Sequence, residues 1–503
     1  MKKLMLILAA TLTSLASLAA LPQPDLIAQI HFAGGDRISA DKNYSTFTNE
    51  FSSAEALALR KQTADKLAPW LAGWLQTNLG TAVPDGATKL RPLFDDLQSA
   101  EWFLEARAAA GGKPDVAIAI QLAPAHAQAW ELALKPYFPA ATFSQSAGWL
   151  IFDSGTGAIK AGDLLAQKLA APPAGWLGVD VNWPRLAQWY PELKQLALPE
   201  TKFDVSVKDT NLDISGKWFF LDNLSLKLDA WQFPSNTIHE PLTSFTAARG
   251  FAGWLSGQDW AQPVKLSPPA NQMFIWALKG SSFQTFAAAP LADSAAALLQ
   301  LDSGLQPVVA WRNEHDGFLS PFTLASTNDR IALKGTPFIS AFVQMLKGTD
   351  GQFLFAGAFP NTPRGKALPP KIFEQLAMPG LVYYHLENTA LRQPDLLNLS
   401  QLLLLLTRHK QLDGTSAAFK WVTKTSLMPG LSATTLTQTA PDQLTFARTS
   451  PGGLTALELL SLANWLEASD FPHCNLSMPP IPERVKQLRA RPHTAKPISI
   501  PGN

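Results

Sequence analysis

The stretch WLGVDVNWPRLAQWY, Trp176–Tyr190, changes its period in mid-course. Leu177, Val179 and Val181 alternate with Gly178 and Asp180, which is the two-residue period of a half-buried strand. Asn182 then supplies a helix N-cap, and Pro184 stands at the second helical position, where a missing N–H costs nothing. Leu186 and Trp189 give this helix an apolar side. A meander is expected to follow, from Phe203-Val205-Val207 to Leu212-Ile214 and on to Leu224-Leu226-Leu228. A strand, a helix and returning strands make a β-α-β-β unit.

The same order recurs on either side of this stretch. Upstream, Val116, Ile118, Ile120 and Leu122 alternate, Pro124 opens a helix through His126, Trp130 and Leu134, and GWLIF returns as a strand. Downstream, Phe274-Trp276-Leu278 starts a third unit that passes Phe283 and Phe286; its alanine-rich helix runs from Ser294 to Leu301, before a strand at Val308-Val309. A fourth starts at GLVYYHLE, with Leu381, Tyr383 and His385 on one face, and enters a leucine-rich helix over 394–408. It closes with a hairpin turning at Pro441-Asp442. Thr455 and Glu458 have capping-box spacing at the head of a helix reaching Trp465. The predicted fold class is α+β, with repeated β-α-β-β modules and antiparallel sheets carrying helices packed on one face. The amphipathic segment from Ser53 to Leu79 is expected to break or kink at Pro69.

The ends of the chain read differently from its middle. Lys2 and Lys3, an apolar run from Leu4 to Leu18 and the small-x-small sequence ending at Ala20 form a signal peptide over 1–20, so the protein is expected to be exported to the periplasm or secreted. Cys474 is the only cysteine, which leaves packing to hold the fold without an intramolecular disulfide. Removing Lys2 and Lys3 from the 41 basic residues leaves 39 against 40 acidic ones, a balance that gives no long-range attraction to nucleic acid. The longest later apolar run, Leu402–Leu406, is far short of the ~20 residues that span a bilayer, so no transmembrane segment is expected after cleavage. An N-terminal α+β domain is expected over 21–235 and a C-terminal one over 236–478, divided near FPSNTIHEP. A basic tail with several prolines follows over 479–503.

Three stretches, SNTIHEPLTSFTAARGFAGWL, NQMFIWALKGSSFQTFAAAP and LTALELLSLANWLEASDFP, resemble those of an uncharacterised family of exported bacterial proteins with repeated α+β modules. The resemblance implies export and a repetitive α+β build. It brings no activity and no site residues.

WLIFDSGTG, Trp149–Gly157, looks like the strand and loop by which an aspartic protease presents its carboxylate, and a second Asp-Ser-Gly stands at Asp302-Ser303-Gly304. A dyad needs two carboxylates close enough to share a proton. The second tripeptide reads as a helix end with Gly304 as a left-handed cap, so no dyad is expected; Asp153 should lie in a solvent-facing turn and Asp302 at a helix C-terminus. His126 with Glu131, Glu314-His315-Asp316 and His473-Cys474 lack the i, i+4 spacing of two ligands on one helix face, so no metal site and no cofactor are expected. His385 belongs to an apolar strand face, and His239-Glu240 to the boundary loop. His31, Asp36 and Arg37 gather in HFAGGDR, where they line a surface site or simply flank a turn at Gly34-Gly35. Sixteen tryptophans, among them the pairs Trp70/Trp74, Trp183/Trp189 and Trp254/Trp260, either fill the core or, if exposed, stack on sugar rings.

The expected function is therefore that of an exported soluble protein acting as a non-catalytic structural or binding component outside the cytoplasm, with an envelope protein or a glycan as partner. The alternatives are an extracytoplasmic hydrolase whose site is assembled from distant residues and a carbohydrate-binding protein using exposed tryptophans. Catalytic residues are unknown at this level.

Overall fold

The computed structural model describes residues 26–473, apart from 109–113, 156–160, 170–172, 191–192, 195–196, 236, 259–265, 280–283, 316–320, 336–338, 349–350, 360–369, 407–412, 426–427 and 429. The leader and the basic tail lie outside this set. In chain order the strands are β1 (Leu26–Phe32), β2 (Trp102–Arg107), β3 (Asp115–Gln121), β4 (Thr142–Ser146), β5 (Trp149–Asp153), β6 (Leu177–Val181), β7 (Glu200–Lys208), β8 (Asn211–Phe219) and β9 (Leu242–Arg249). There follow β10 (Gln272–Leu278), β11 (Thr285–Leu291), β12 (Thr323–Ser326), β13 (Arg330–Lys334), β14 (Phe342–Gly348), β15 (Gly351–Gly357), β16 (Leu381–Glu387), β17 (Ser432–Ala440) and β18 (Gln443–Ser450).

The chain forms two compact units, and they are not the consecutive halves expected from the sequence. Among the described residues, the first comprises 26–224, 378–397 and 413–473; the second comprises 225–377 and 398–406. In the first, antiparallel pairing gives the strand order β4-β5-β3-β2-β1-β6-β7-β8-β18-β17-β16. In the second the order is β9-β10-β11-β15-β14-β13-β12, again antiparallel throughout. The α+β class is thus observed.

The stretch Trp176–Tyr190 forms what its periods dictate. Leu177–Val181 is strand β6, Asn182 Oδ1 accepts from the Arg185 amide at 2.9 Å, and the helix runs Trp183–Trp189. Trp183 joins Ile27, Ala28, Val179, Val181 and Phe203 in one core cluster. Each such large side chain removed from water contributes roughly 1.5–3 kcal/mol. The hairpin β17–β18 turns at Pro441-Asp442, and the Thr455/Glu458 capping box is complete at the head of helix Ala456–Glu467.

Other expectations are corrected. The segment Leu224–Leu228 forms no strand; its neighbours 227–232 are held instead by side chains, with Asn271 Nδ2 donating to Lys227 O, Arg249 to Asp229 O and Gln272 Nε2 to Ala230 O. The helix from Ser294 continues to His315 through Gly304, Pro307 and Val308-Val309. Gly304 costs such a helix about 1 kcal/mol, and the turns beyond it are held by Asn313, whose side chain exchanges hydrogen bonds of 2.6 and 2.8 Å with the Phe322 backbone. Likewise Ala54–Leu79 is a single helix despite Pro69, because Leu59 and Leu75 anchor its two ends in separate core clusters. Helices also cover both faces of the first sheet. Pro124–Leu134 packs Trp130 with Ile120, Leu150 and Phe152, whereas Ala161–Lys168 packs Leu165 with the alternate residues Ala117, Ala119 and Ile151.

Candidate binding site on the first sheet

Strand alternation and register bring an unusual set of residues to one face of the first sheet. Reading across the strands, Asp153, Ala117, Glu105, Gln29, Asp180, Lys202 and Lys217 stand opposite one another in a single row. The next row on the same face is Ile151, Ala119, Phe103, His31, Gly178, Asp204 and Ser215. Helix Ala161–Lys168 covers the β5-β3-β2 end through Ala161 and Leu165. Its last residue, Lys168, reaches the middle of the row.

Most of these charges are matched within the row. Glu105, 0% exposed, accepts from Arg107 Nε and from Lys168 Nζ, and Lys168 also donates to Gln29 Oε1 at 3.1 Å. Lys202 Nζ lies 2.8 Å from Asp180 Oδ2 and 3.3 Å from Glu200 Oε1. Burial raises the Asp180 carboxyl pKa, against the pull of Lys202. Such matching matters because an isolated charge at this depth is costly unless paired.

Two members of the second row are not matched. Asp204 is half-buried, and its carboxylate has no hydrogen-bond or ion-pair partner among the described residues. Burial, reinforced by the neighbouring Asp180 charge, pushes its pKa up to about 7. His31 is 3% exposed and stacks on Phe103 with ring centroids 4.4 Å apart. Its Nε2 lies 2.8 Å from Glu101 Oε1, while Nδ1 is buried with no partner among the described residues. Burial lowers the His31 pKa despite Glu101, so the neutral ring donates from Nε2 and leaves Nδ1 as an acceptor. Between these two residues stands Gly178. A Cβ placed there would lie 3.3 Å from Asp204 Oδ1 and 4.0 Å from His31 Cβ, so a side chain at this position would crowd the Asp204 carboxylate.

Of the residues singled out in HFAGGDR, His31 and Arg37 do meet, on Glu101, with Arg37 NH1 at 3.4 Å. Asp36 is exposed and acts on Arg60 instead. Gly34 takes φ +87°, and a Cβ there would lie 2.6 Å from the Ala100 carbonyl carbon, so this turn admits only glycine comfortably.

The Asp-Ser-Gly pair is settled separately for each member. Asp153 ends β5 as expected but is 3% exposed rather than solvent-facing. Its carboxylate accepts from the Gly155 and Gly162 amides, both at 2.6 Å, so it caps the helix that follows. Asp302 lies inside its helix rather than at the C-terminus and accepts from Ser326 Oγ at 2.6 Å and Gln306 Nε2 at 3.2 Å. The two carboxylates belong to different units and serve local partners.

The remaining candidates disperse. His126 Nδ1 lies 2.7 Å from Asp96 Oδ1, not on Glu131, and Trp130 Nε1 donates to the other oxygen of Asp96. His385 stacks beside Tyr383, with its Nε2 3.7 Å from Glu387 Oε2. His239 and Glu240 are half-buried. Glu314 is exposed on a helix, and Asp316 and Cys474 lie outside the described residues. Among the described residues no group of three His, Cys, Asp or Glu side chains is placed to hold a metal ion. Of the described tryptophans only Trp254, at 62%, is mostly exposed; Trp74, Trp183 and Trp189 pack in core clusters, Trp70 is half-buried, and Trp260 lies outside the described set. Sequence reasoning missed Glu105, Asp180, Lys202 and Asp204, whose only local signal is a charge on the alternate positions of apolar strands.

No protein-family model matches the chain, and no curated protein matches it. Among solved structures it is similar to one titled "Structure of crystal form I of TP0453", at 10% identity over 47% of this chain and 100% of that one, with a TM-score of 0.24. A likeness that slight carries no argument.

Proposed function

We propose that this chain is an exported binding component built from two copies of one module, and that the polar rows of the first copy hold its ligand. Export rests on the leader-like opening residues, Lys2 and Lys3 followed by the apolar run to Leu18. Duplication is supported by register. Shifts of 216, 171, 169 and 204 residues carry His31, Phe103, Ala119 and Ile151 onto Ala247, Phe274, Ala288 and Phe355, which are paired in the same way. The first shift also carries Gly34, φ +87°, onto Gly250, φ +84°.

One observation carries the binding role. Under the same shifts Gln29, Glu105 and Arg107 correspond to Phe245, Trp276 and Leu278, all of them buried in an aromatic core. At these three positions the second copy closes the same sheet face with apolar side chains, its buried polar pair Gln272 and Arg249 standing at the other end of the two strands. Replacing a buried ionic group with packed hydrophobics is commonly neutral or stabilising, so the charges of the first copy are not there to hold the fold. Their retention is explained by a ligand.

The test is affinity capture with the full-length protein, exported through its own leader, from the envelope and secreted fractions of its source cell. Wild type is expected to retain a component that Asp204→Asn and Lys202→Met both lose. Equal retention by all three would refute the reading.

A further inference from the structure

We infer that β4 is an interface between copies of this chain, pairing antiparallel with β4 of a second copy across a two-fold axis at Ser144. β4 ends the strand order of the first unit, with β5 as its neighbour. Among the described residues no hydrogen bond other than that ladder reaches the backbone of Thr142–Ser146. Thr142, Ser144, Gln145 and Ser146 are exposed, so the outward N–H and C=O groups stand in water. Such an edge is a template for another strand, and proteins blunt it with charge, proline, a bulge, brevity or a covering element. The sequence Thr-Phe-Ser-Gln-Ser holds no charge and no proline, and its register with β5 is unbroken.

The second unit treats its own edge differently. β12, which ends that strand order, has four residues, and helix Ser294–His315 grips it at both ends. Asn313 exchanges hydrogen bonds of 2.6 and 2.8 Å with the Phe322 backbone just before the strand, and Asp302 accepts from Ser326 Oγ at 2.6 Å. No side chain among the described residues does this for β4. The bond from Lys135 Nζ to Ala141 O, at 3.0 Å, stops one residue short of the strand.

Self-complementarity selects a second copy as the occupant. Centred on Ser144, the antiparallel pair sets Thr142 opposite Ser146 and Phe143 opposite Gln145, so hydroxyls meet on one face and no like charges are opposed. Helix Pro124–Leu134 fits the same symmetry. It runs antiparallel to β4: Lys135 at its end lies over the Phe143 ring, 5.6 Å from the centroid, while Pro124 at its start lines a hollow with Ser146. Gln128, Glu131, Leu132 and Lys135 recur at helical spacing around one hollow on the side that overlooks β4, and Leu132 is 67% exposed. The two-fold brings the two Leu132 side chains toward each other and turns Glu131 of each copy toward Lys135 of the other. Such an interface is isologous, each contact occurring twice.

The test is the oligomeric state of the full-length protein by sedimentation equilibrium. Wild type is expected to be a dimer. Ser144→Lys, which sets two ammonium groups opposite each other at an exposed position, should raise the dimer dissociation constant at least roughly tenfold with an unchanged circular dichroism spectrum. Leu132→Asp should weaken the dimer likewise. In a Cys474→Ala background, Ser144→Cys should form a disulfide-linked dimer on mild oxidation, because opposed Cα atoms of an antiparallel ladder are ~4.5–5.5 Å apart, within disulfide range. Leu457→Cys, exposed on helix Ala456–Glu467, is the control and should not. If Ser144→Lys fails to fold, the crosslink decides. A monomer at every concentration would overturn the inference, and so would a dimer that Ser144→Lys leaves intact or that Ser144→Cys fails to lock. A monomer that captures other proteins only while Ser144 is unchanged would make the edge a docking strand for a different partner, and self-pairing would fall.

Discussion

Asp204 is where pH acts on this fold most directly. Its folded pKa, about 7, stands above the ordinary carboxyl value of roughly 4. Between those values the folded state holds a proton that the unfolded chain has released, so this residue lowers stability as pH rises from 4 and levels off above 7. Asp204→Asn removes that dependence. Relative to wild type the variant is expected to gain on the order of 1 kcal/mol between pH 5 and pH 8, a figure reduced for solvent screening of a half-exposed group. Denaturant melts at the two pH values check it, and a gap that does not change with pH would contradict the assignment. Glu458 has the opposite sign. Although burial acts to raise its pKa, bonds from Arg448 at 2.7 and 2.9 Å outweigh that and hold it below the ordinary value. Its contribution is therefore complete above the unfolded pKa and is lost as pH falls through the folded one. Glu458→Gln should cost roughly 2 kcal/mol at pH 7, because the buried Arg448 loses its countercharge, and much less at pH 3.

At the scale of elements, local propensity yields wherever a buried face runs past the breaker. Pro69 is exposed within helix Ala54–Leu79 and removes one backbone hydrogen bond from its interior. Pro69→Ala restores the donor, so this variant is expected to gain roughly 1–3 kcal/mol, read as a higher Tm with unchanged helix content. Loss of stability would mean that proline sets the course of the helix between its two anchoring clusters. The Asn182 cap and the Thr455/Glu458 box were legible because capping is decided within four residues. Gly304 was misread for the complementary reason. Whether a glycine ends a helix depends on what holds the turns that follow, and here Asn313 exchanges hydrogen bonds with the Phe322 backbone, outside the four residues that a capping signal spans.

At the scale of the molecule, the proposed equivalence of Gly34 and Gly250 gives a paired test. Both take left-handed φ, but a Cβ at Gly34 would meet backbone of Ala100 at 2.6 Å, while at Gly250 it would meet the Leu228 side chain at 2.9 Å. Backbone cannot step aside and a leucine can. Gly34→Ala is therefore expected to cost about 2–4 kcal/mol and Gly250→Ala about 1–2 kcal/mol, measured by chemical denaturation of the full chain. A larger cost at Gly250 would contradict this account of the two turns.

The sequence by itself determined the α+β class, the strand at Leu177–Val181, the helices after Asn182 and Thr455 and the hairpin at Pro441-Asp442, because each is written in period and capping over a few adjacent residues. It also brought His31 and Arg37 into view, since they are six residues apart. Only the tertiary structure decided that Met378–Leu397 belongs with the first unit, and that Glu105, Asp180 and Asp204 share one face with His31. Strand order and register are set by pairings between residues tens to hundreds of positions apart. A charge on an alternating strand reads locally as facing solvent; whether that face is closed by a helix or left open depends on packing that no local period records.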